Sequence, residues 1–170
     1  MLSITKQIID YFLNLFYPVF RKILPRQVYA YLAVGAANTL FNIGLFTLFY
    51  VLIFHSVGLL ILGFNLNLLS VEIATIISFL LSVTSGFWLS KNFAFTDASN
   101  EKKEKNKQFG KYFLVAMQGQ FSDYLITKGL IVFLHIEPTI AYFISTIIML
   151  IINFFLQKYY TFKVKTRKAA

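Results

Sequence analysis

The sequence predicts an all-α membrane protein: four transmembrane helices arranged as two parallel-oriented helical hairpins, an internal repeat, preceded by an amphipathic interfacial helix. Three observations predict it. The first is solvent preference. The 170 residues are 58% hydrophobic and 14% charged, against roughly 25% charged in ordinary soluble domains. No Asp, Glu, Lys or Arg occurs between Arg26 and Glu72, an apolar run that the core of a soluble domain this size does not hide. The second is a repeated phrase. Phe87-Trp88-Leu89-Ser90-Lys91-Asn92-Phe93-Ala94-Phe95 is echoed by Phe154-Phe155-Leu156-Gln157-Lys158-Tyr159-Tyr160-Thr161-Phe162, with Phe, Leu, Lys and Phe in register. Duplication in so apolar a chain points to a membrane protein built from two similar halves. The third is the placement of positive charge, which fixes topology.

The elements follow in order. Ile4, Ile8, Phe12, Leu15, Phe16, Val19, Phe20 and Ile23 recur at helical spacing, with Gln7, Asp10, Asn14 and Arg21 mostly on the other side. That pattern predicts an amphipathic helix in the membrane interface, kinked at Pro18 and stopped at Pro25. Four runs then approach the ~20 residues that cross a bilayer: about Tyr31–Phe54, Val71–Ser90, Tyr112–Leu134 and Pro138–Gln157. Pro138 suits a first helical turn. Ser56–Ser70, with Gly58, Gly63, Asn65 and Asn67, reads as a loop or short surface helix. Residues 1–28 are thus the interfacial helix and 29–165 the four-helix transmembrane domain, with halves about 29–96 and 109–165 and a cytoplasmic loop about 91–111.

Fifteen of the sixteen basic residues lie before the first run, between the second and third, or after the fourth. The remaining connections carry none. The positive-inside rule therefore makes both termini and the middle loop cytoplasmic in a multi-pass protein. Each half runs out and back, so the two halves share one orientation. The register extends further: Ile73, Ala74 and Ser78 match Ile140, Ala141 and Ser145, and Tyr31 and Val34 match Tyr112 and Val115. His55 and His135 each end a first helix, where carbonyl capping is the plain role.

Composition also excludes. Cysteine is absent, which removes disulfides and thiolate chemistry. Two histidines are too few for a histidine metal cluster within one chain. Neither a cofactor nor a metal is expected. No nucleophile–base set, paired carboxylates or phosphate-cradling glycine loop appears, so an enzyme is not expected. Lys6 is followed by Asp10 and an interrupted apolar pattern without a small-residue cleavage site, unlike a signal peptide. The net charge of +9 flanks apolar spans, so the partners it implies are anionic lipids rather than nucleic acid.

The candidate functional residues are the polar ones at membrane depth. Asp123 falls about eleven residues into the third run, where an ionised carboxylate is expensive, at least ~2.5 kcal/mol on the lenient scale. It is a gate, proton or sugar-hydroxyl candidate, or else a carboxyl bonded to Asn42 or Asn153. Lys128, the one basic residue outside the cytoplasmic segments, stands five residues on, a poor spacing for an intrahelical pair. Its expected partner is on another helix, Glu72 being one option, and the alternative is snorkelling outward. Glu72 opens the second run, where a carboxylate suits the helix dipole. Asn38, Asn42, Gln118, Gln120 and Asn153 serve either as interhelical hydrogen-bond partners or as sugar ligands. The repeated Lys91 and Lys158 either anchor topology beside an aromatic belt of Trp88, Tyr159 and Tyr160, or bind a lipid phosphate. The mixed-charge run Glu101–Lys107 reads as a solvated loop.

Three stretches resemble the GtrA-like family of small four-span bacterial membrane proteins: Val34-Gly35-Ala36-Ala37-Asn38-Thr39, Gly86 through Phe95, and Asn153 through Phe162. The last, with its Asn-Phe opening, basic residue and closing Thr-Phe, is the most specific. The resemblance spans about Tyr31 to Phe162. It implies translocation of polyprenyl-phosphate-linked sugar across the bacterial cytoplasmic (inner) membrane, for cell-surface polysaccharide synthesis, alongside a membrane-associated glycosyltransferase. Two departures stand out: Asn42 occupies a position where the family often has Asp, and Gln157-Lys158 replaces a basic pair. Four spans leave little room for a sugar, so a homo-oligomer is expected. The alternative roles are a non-transporting accessory subunit that anchors or regulates a glycosyltransferase, and a small-solute exporter.

Overall fold

A computed structural model describes residues 2–55, 66–99 and 101–163, with side chains for 4–51, 71–99 and 101–163. The side chain of His55 and all of Lys165, Arg167 and Lys168 lie outside the described residues. Among those described, every regular element is helical. The helices are α1 (Leu2–Phe20), α2 (Arg26–Thr47), α3 (Leu66–Leu89), α4 (Lys102–Leu134) and α5 (Pro138–Leu156). Three of them end in wider π-helical turns: α2 runs into Leu48–His55, α3 into Ser90–Ala94 and α5 into Gln157–Thr161. The chain forms two compact units, residues 1–94 and 95–170.

In the first unit, α1 contains Pro18 and continues two residues past it. The Phe20 carbonyl then accepts the N–H groups of Ile23 and Leu24, both at 2.9 Å, which turns the chain. Pro25 precedes α2, its carbonyl already accepting from the Tyr29 N–H at 3.0 Å. α1 therefore ends at Phe20, ahead of the proline expected to stop it, and Pro25 stands at the start of the second helix. Leu13, Tyr29, Val34 and Phe93 form a buried cluster with Tyr17 and Trp88 packed against it. The Tyr17 and Tyr29 rings lie 5.3 Å apart, and Arg26 donates to Asn14 Oδ1 at 2.6 Å. Outside this patch α1 exposes Ile8, Phe12, Leu15, Phe16 and Val19, an apolar face that water does not favour.

Within each unit two long helices pack together, α2 on α3 and α4 on α5. Their cross-helix pairs run in opposite chain directions, Asn38–Ser85 and Asn42–Ser82 in one, Lys111–Tyr160 and Asp123–Ser145 in the other. Both pairs are therefore antiparallel. Small residues at four-residue spacing line the buried faces: Ala74, Ser78 and Ser82 on α3, Ala141 and Ser145 on α5. Small side chains bring helix backbones close, the packing mode that works where lipid removes the hydrophobic drive.

Three stretches are long and apolar enough to cross a membrane: Arg26–Val51, Val71–Ala94 and Pro138–Thr161. The fourth expected crossing is a continuous helix, α4, but Gln118, Gln120, Asp123 and Lys128 make it more polar than the others. Its 33 residues span about 50 Å, some 20 Å more than the hydrocarbon core of a bilayer. The run Glu101–Lys107 is not a loop: helix begins at Lys102. Likewise Ser56–Ser70, expected as a loop or short surface helix, ends early, because the long helix α3 begins at Leu66, while residues 56–65 lie outside the described residues. Glu72 therefore sits in the second turn of α3, exposed, rather than at its start.

Between α4 and α5 the chain takes three residues. His135 adopts a left-handed backbone, φ 53°, which ends α4. Glu137 then caps α5: its carboxylate accepts from the Ile140 N–H at 3.0 Å and the Thr139 hydroxyl at 2.9 Å, with Pro138 in the first turn.

Candidate functional site

The polar residues expected at depth fall into a small number of local sets. In the first unit, Asn42 Nδ2 donates to Ser82 Oγ at 2.9 Å, and Ser85 Oγ donates to Asn38 Oδ1 at 2.8 Å. Ser82 and Ser85 also reach the carbonyls of Phe79 and Ser82. These amides thus act as interhelical ties, one of the two roles their positions allowed.

In the second unit, Asp123 is half-buried on α4 and its partner is Ser145 on α5. Ser145 Oγ lies 2.6 Å from Asp123 Oδ1 and 3.0 Å from the Asp123 carbonyl oxygen. Ser145 has no exposed surface. Sequence reasoning offered Asn42 or Asn153 as the partner; the serine matched to Ser78 in the repeat takes that place instead. The geometry accommodates both forms of the carboxyl. Ionised, it accepts from Ser145; protonated, it donates to Ser145, whose own hydrogen turns to the Asp123 carbonyl.

Asn153 packs against Gly119, where an added Cβ would meet its Nδ2 at 3.0 Å. Its Oδ1 is buried without a hydrogen-bond partner, and so are Gln157 Oε1, Thr161 Oγ1 and Thr127 Oγ1. Asn153, Gln157 and Thr161 stand four residues apart along α5 and its π-helical turn. They form a ladder of unsatisfied polar atoms, and a buried group left in that state costs about 1–3 kcal/mol. The spacing is readable in the sequence, although of the three only Asn153 stands out there as a polar group at membrane depth.

The two repeated lysines differ. Each lies in a π-helical turn, Lys91 in Ser90–Ala94 and Lys158 in Gln157–Thr161. Such turns recur at functional sites because they break the regular hydrogen-bond ladder. Lys91 is buried, 6% exposed. Lys158 is half-exposed, its ammonium 5.6 Å from the ring centres of both Phe154 and Tyr159. Lys128 is exposed and donates to the Tyr124 hydroxyl at 3.2 Å. That partner is one turn earlier on the same helix, not Glu72. Gln118 reaches Ser122 at 2.6 Å, also along α4.

Fold and site together define a helical membrane protein with amides and a carboxyl between its packed helices. The chain belongs to the family of the GtrA/DPMS transmembrane domain, whose model matches residues 30–162. Membership connects it to lipid-linked sugar processes. No curated protein and no solved structure matches it.

Proposed function

We propose that the protein translocates polyprenyl-phosphate-linked sugar across the bacterial cytoplasmic membrane for surface polysaccharide synthesis. In this reading α2, α3, α4 and α5 are the four crossings, α1 lies in the interface, and both termini face the cytoplasm. The observation that carries it, beyond family membership, is the Asp123–Ser145 pair. Asp123 stands eleven residues from the end of α4, about 17 Å along the helix and so near the middle of a 30 Å core. A carboxyl held there by one hydroxyl has spare acceptor capacity for sugar hydroxyls. Lys91 in the first unit and Lys158 in the second are each a candidate to bind lipid phosphate at the cytoplasmic edge. Several copies of the chain enclose the sugar path, and a glycosyltransferase stands at one end of it.

The test is a flipping assay with purified protein in liposomes and a fluorescent polyprenyl-phosphate sugar. The expected result is flipping well above empty liposomes, reduced about tenfold or more by Asp123→Asn. Flipping no faster than in empty liposomes sinks the reading. The length of α4 favours a second one, an accessory subunit without transport. The lysine-rich start of α4 projects far enough to dock a glycosyltransferase. That reading has charge reversal at Lys102, Lys103 and Lys105 abolish function while Asp123→Asn does not.

A further inference from the structure

A basic pocket lies in the second unit, away from Asp123. It is formed where the first turns of α4 meet the π-helical turn after α5, and holds about 80 Å³, room for several waters. Lys107, Lys111 and Lys163 line it, with Glu104 the one opposing charge, and Gln108 and Thr161 complete its wall. Three features mark it as built for a ligand. Lys111 is fixed: its ammonium donates to the Tyr160 carbonyl at 3.0 Å and stands 4.5 Å over the Tyr160 ring. One of its three hydrogens is thereby committed and two remain. Thr161 is only 3% exposed, and its hydroxyl has no hydrogen-bond partner. The lining is net positive and rich in N–H and O–H donors, the complement of a group that only accepts.

We propose that this pocket binds a phosphate-type oxyanion, held by Lys107, Lys111 and Lys163 with the Thr161 hydroxyl as neutral donor. Charge-assisted hydrogen bonds of this kind are the strong ones. A hydroxyl buried without a partner is satisfied once the anion is in place. The Thr161 side chain is also the outer rung of the unsatisfied ladder that continues through Gln157 to Asn153. An occupied pocket therefore sits at the mouth of a polar line leading toward Gly119 on α4. Neither Lys91 nor Lys158 lines the site, and it stands whether or not a lipid is carried across. Its phosphoryl group comes either from a lipid headgroup or from a soluble phosphate compound.

Two probes distinguish these sources with the full chain in phosphatidylcholine nanodiscs. Radiolabelled inorganic pyrophosphate, by equilibrium dialysis, reads the soluble source. Phosphatidic acid doped into the disc, by retention in native mass spectrometry, reads the lipid source. Saturable binding of either probe is expected. Lys111→Gln with Lys163→Gln weakens it about tenfold or more, and Thr161→Val about threefold. Lys6→Gln on α1 with Lys22→Gln in the turn just after it removes the same charge from exposed positions and leaves binding unchanged. If the double-lysine variant loses its monodisperse elution, Thr161→Val carries the test. The proposal is overturned if neither probe saturates, if the pocket variants bind like the parent, or if the Lys6 and Lys22 control loses as much.

Discussion

The α2–α3 and α4–α5 pairs carry related sequences on one packing plan, yet they allocate polarity differently. In the first pair the amides are tied: Asn42 to Ser82 and Asn38 to Ser85. In the second, an acid replaces Asn42, and the described buried polar atoms left without partners all lie in this unit. The register explains how. Asp123 corresponds to Asn42, but Met149 stands where the first half has Ser82. The nearest hydroxyl is then Ser145, one turn away, the counterpart of Ser78. A second exchange is reciprocal. Asn38 corresponds to Gly119, and Gly86 to Asn153, so the amide moves from the first helix of the pair to the second. The two pairs thus share a small-residue seam while their polar groups are satisfied to different degrees. One half has its amides tied between helices, and the other holds buried polar atoms without partners.

The sharpest way to break that contrast is to remove the hydroxyl in each half. Ser145→Ala strips Asp123 of its partner and leaves a carboxyl at depth, which is expected to destabilise by up to about 3 kcal/mol. Ser82→Ala removes a bond to a neutral amide and should cost about 1 kcal/mol. Reversible unfolding in mixed micelles measures both. Equal losses would show that the acid has not changed the character of the second pair. A smaller contrast uses glycine. Gly35 faces open space, whereas a Cβ at Gly119 meets Asn153 at 3.0 Å. Gly35→Ala should stabilise by about 0.5–1 kcal/mol through helix propensity. Gly119→Ala should not, because crowding offsets that gain. A like-signed shift in both would show that Asn153 yields freely.

Much of this is legible in the residues alone. Apolar run lengths fixed the long helices, since a stretch without charge from Arg26 to Glu72 has few other solvents. Pro138 marked a helix start because proline lacks the N–H that a helix interior needs, whereas Pro25 was legible as a stop, and α2 begins right after it at Arg26, ahead of the expected Tyr31. What stayed hidden was pairing. Spacing alone argued against Lys128 bonding Asp123, but it did not reveal Tyr124, one turn away, because a phenol at that position also suits lipid. Ser145 was noticed as a repeat match and not as the partner of Asp123, since the register between two helices is set by packing. The Lys107–Lys111–Lys163 pocket joins residues about fifty positions apart, and the segment holding two of them was read as a loop. The π-helical turns gave no signal beyond the repeated lysines that two of the three hold; Leu48–His55 holds none.

The turn between α4 and α5 offers the mildest tests. His135 is the non-glycine residue with positive φ among those described. His135→Val forces a β-branched side chain into a left-handed backbone and should cost about 1 kcal/mol, while His135→Gly should not destabilise. Glu137 supplies a pH dependence. The backbone N–H of Thr139, that of Ile140 and the Thr139 hydroxyl hold its carboxyl below the usual glutamate range. A group with a lowered folded pKa adds stability above its unfolded value, near 4.3, and loses it as the pH falls through the folded value. Glu137→Gln mimics the protonated cap. It should therefore melt slightly below the parent at neutral pH, and the gap should close on acidification through the carboxylate range. The gap is small because Glu137 is exposed. A gap that persists in acid would mean that the cap works through the geometry of its hydrogen bonds, not through its charge at the α5 N-terminus.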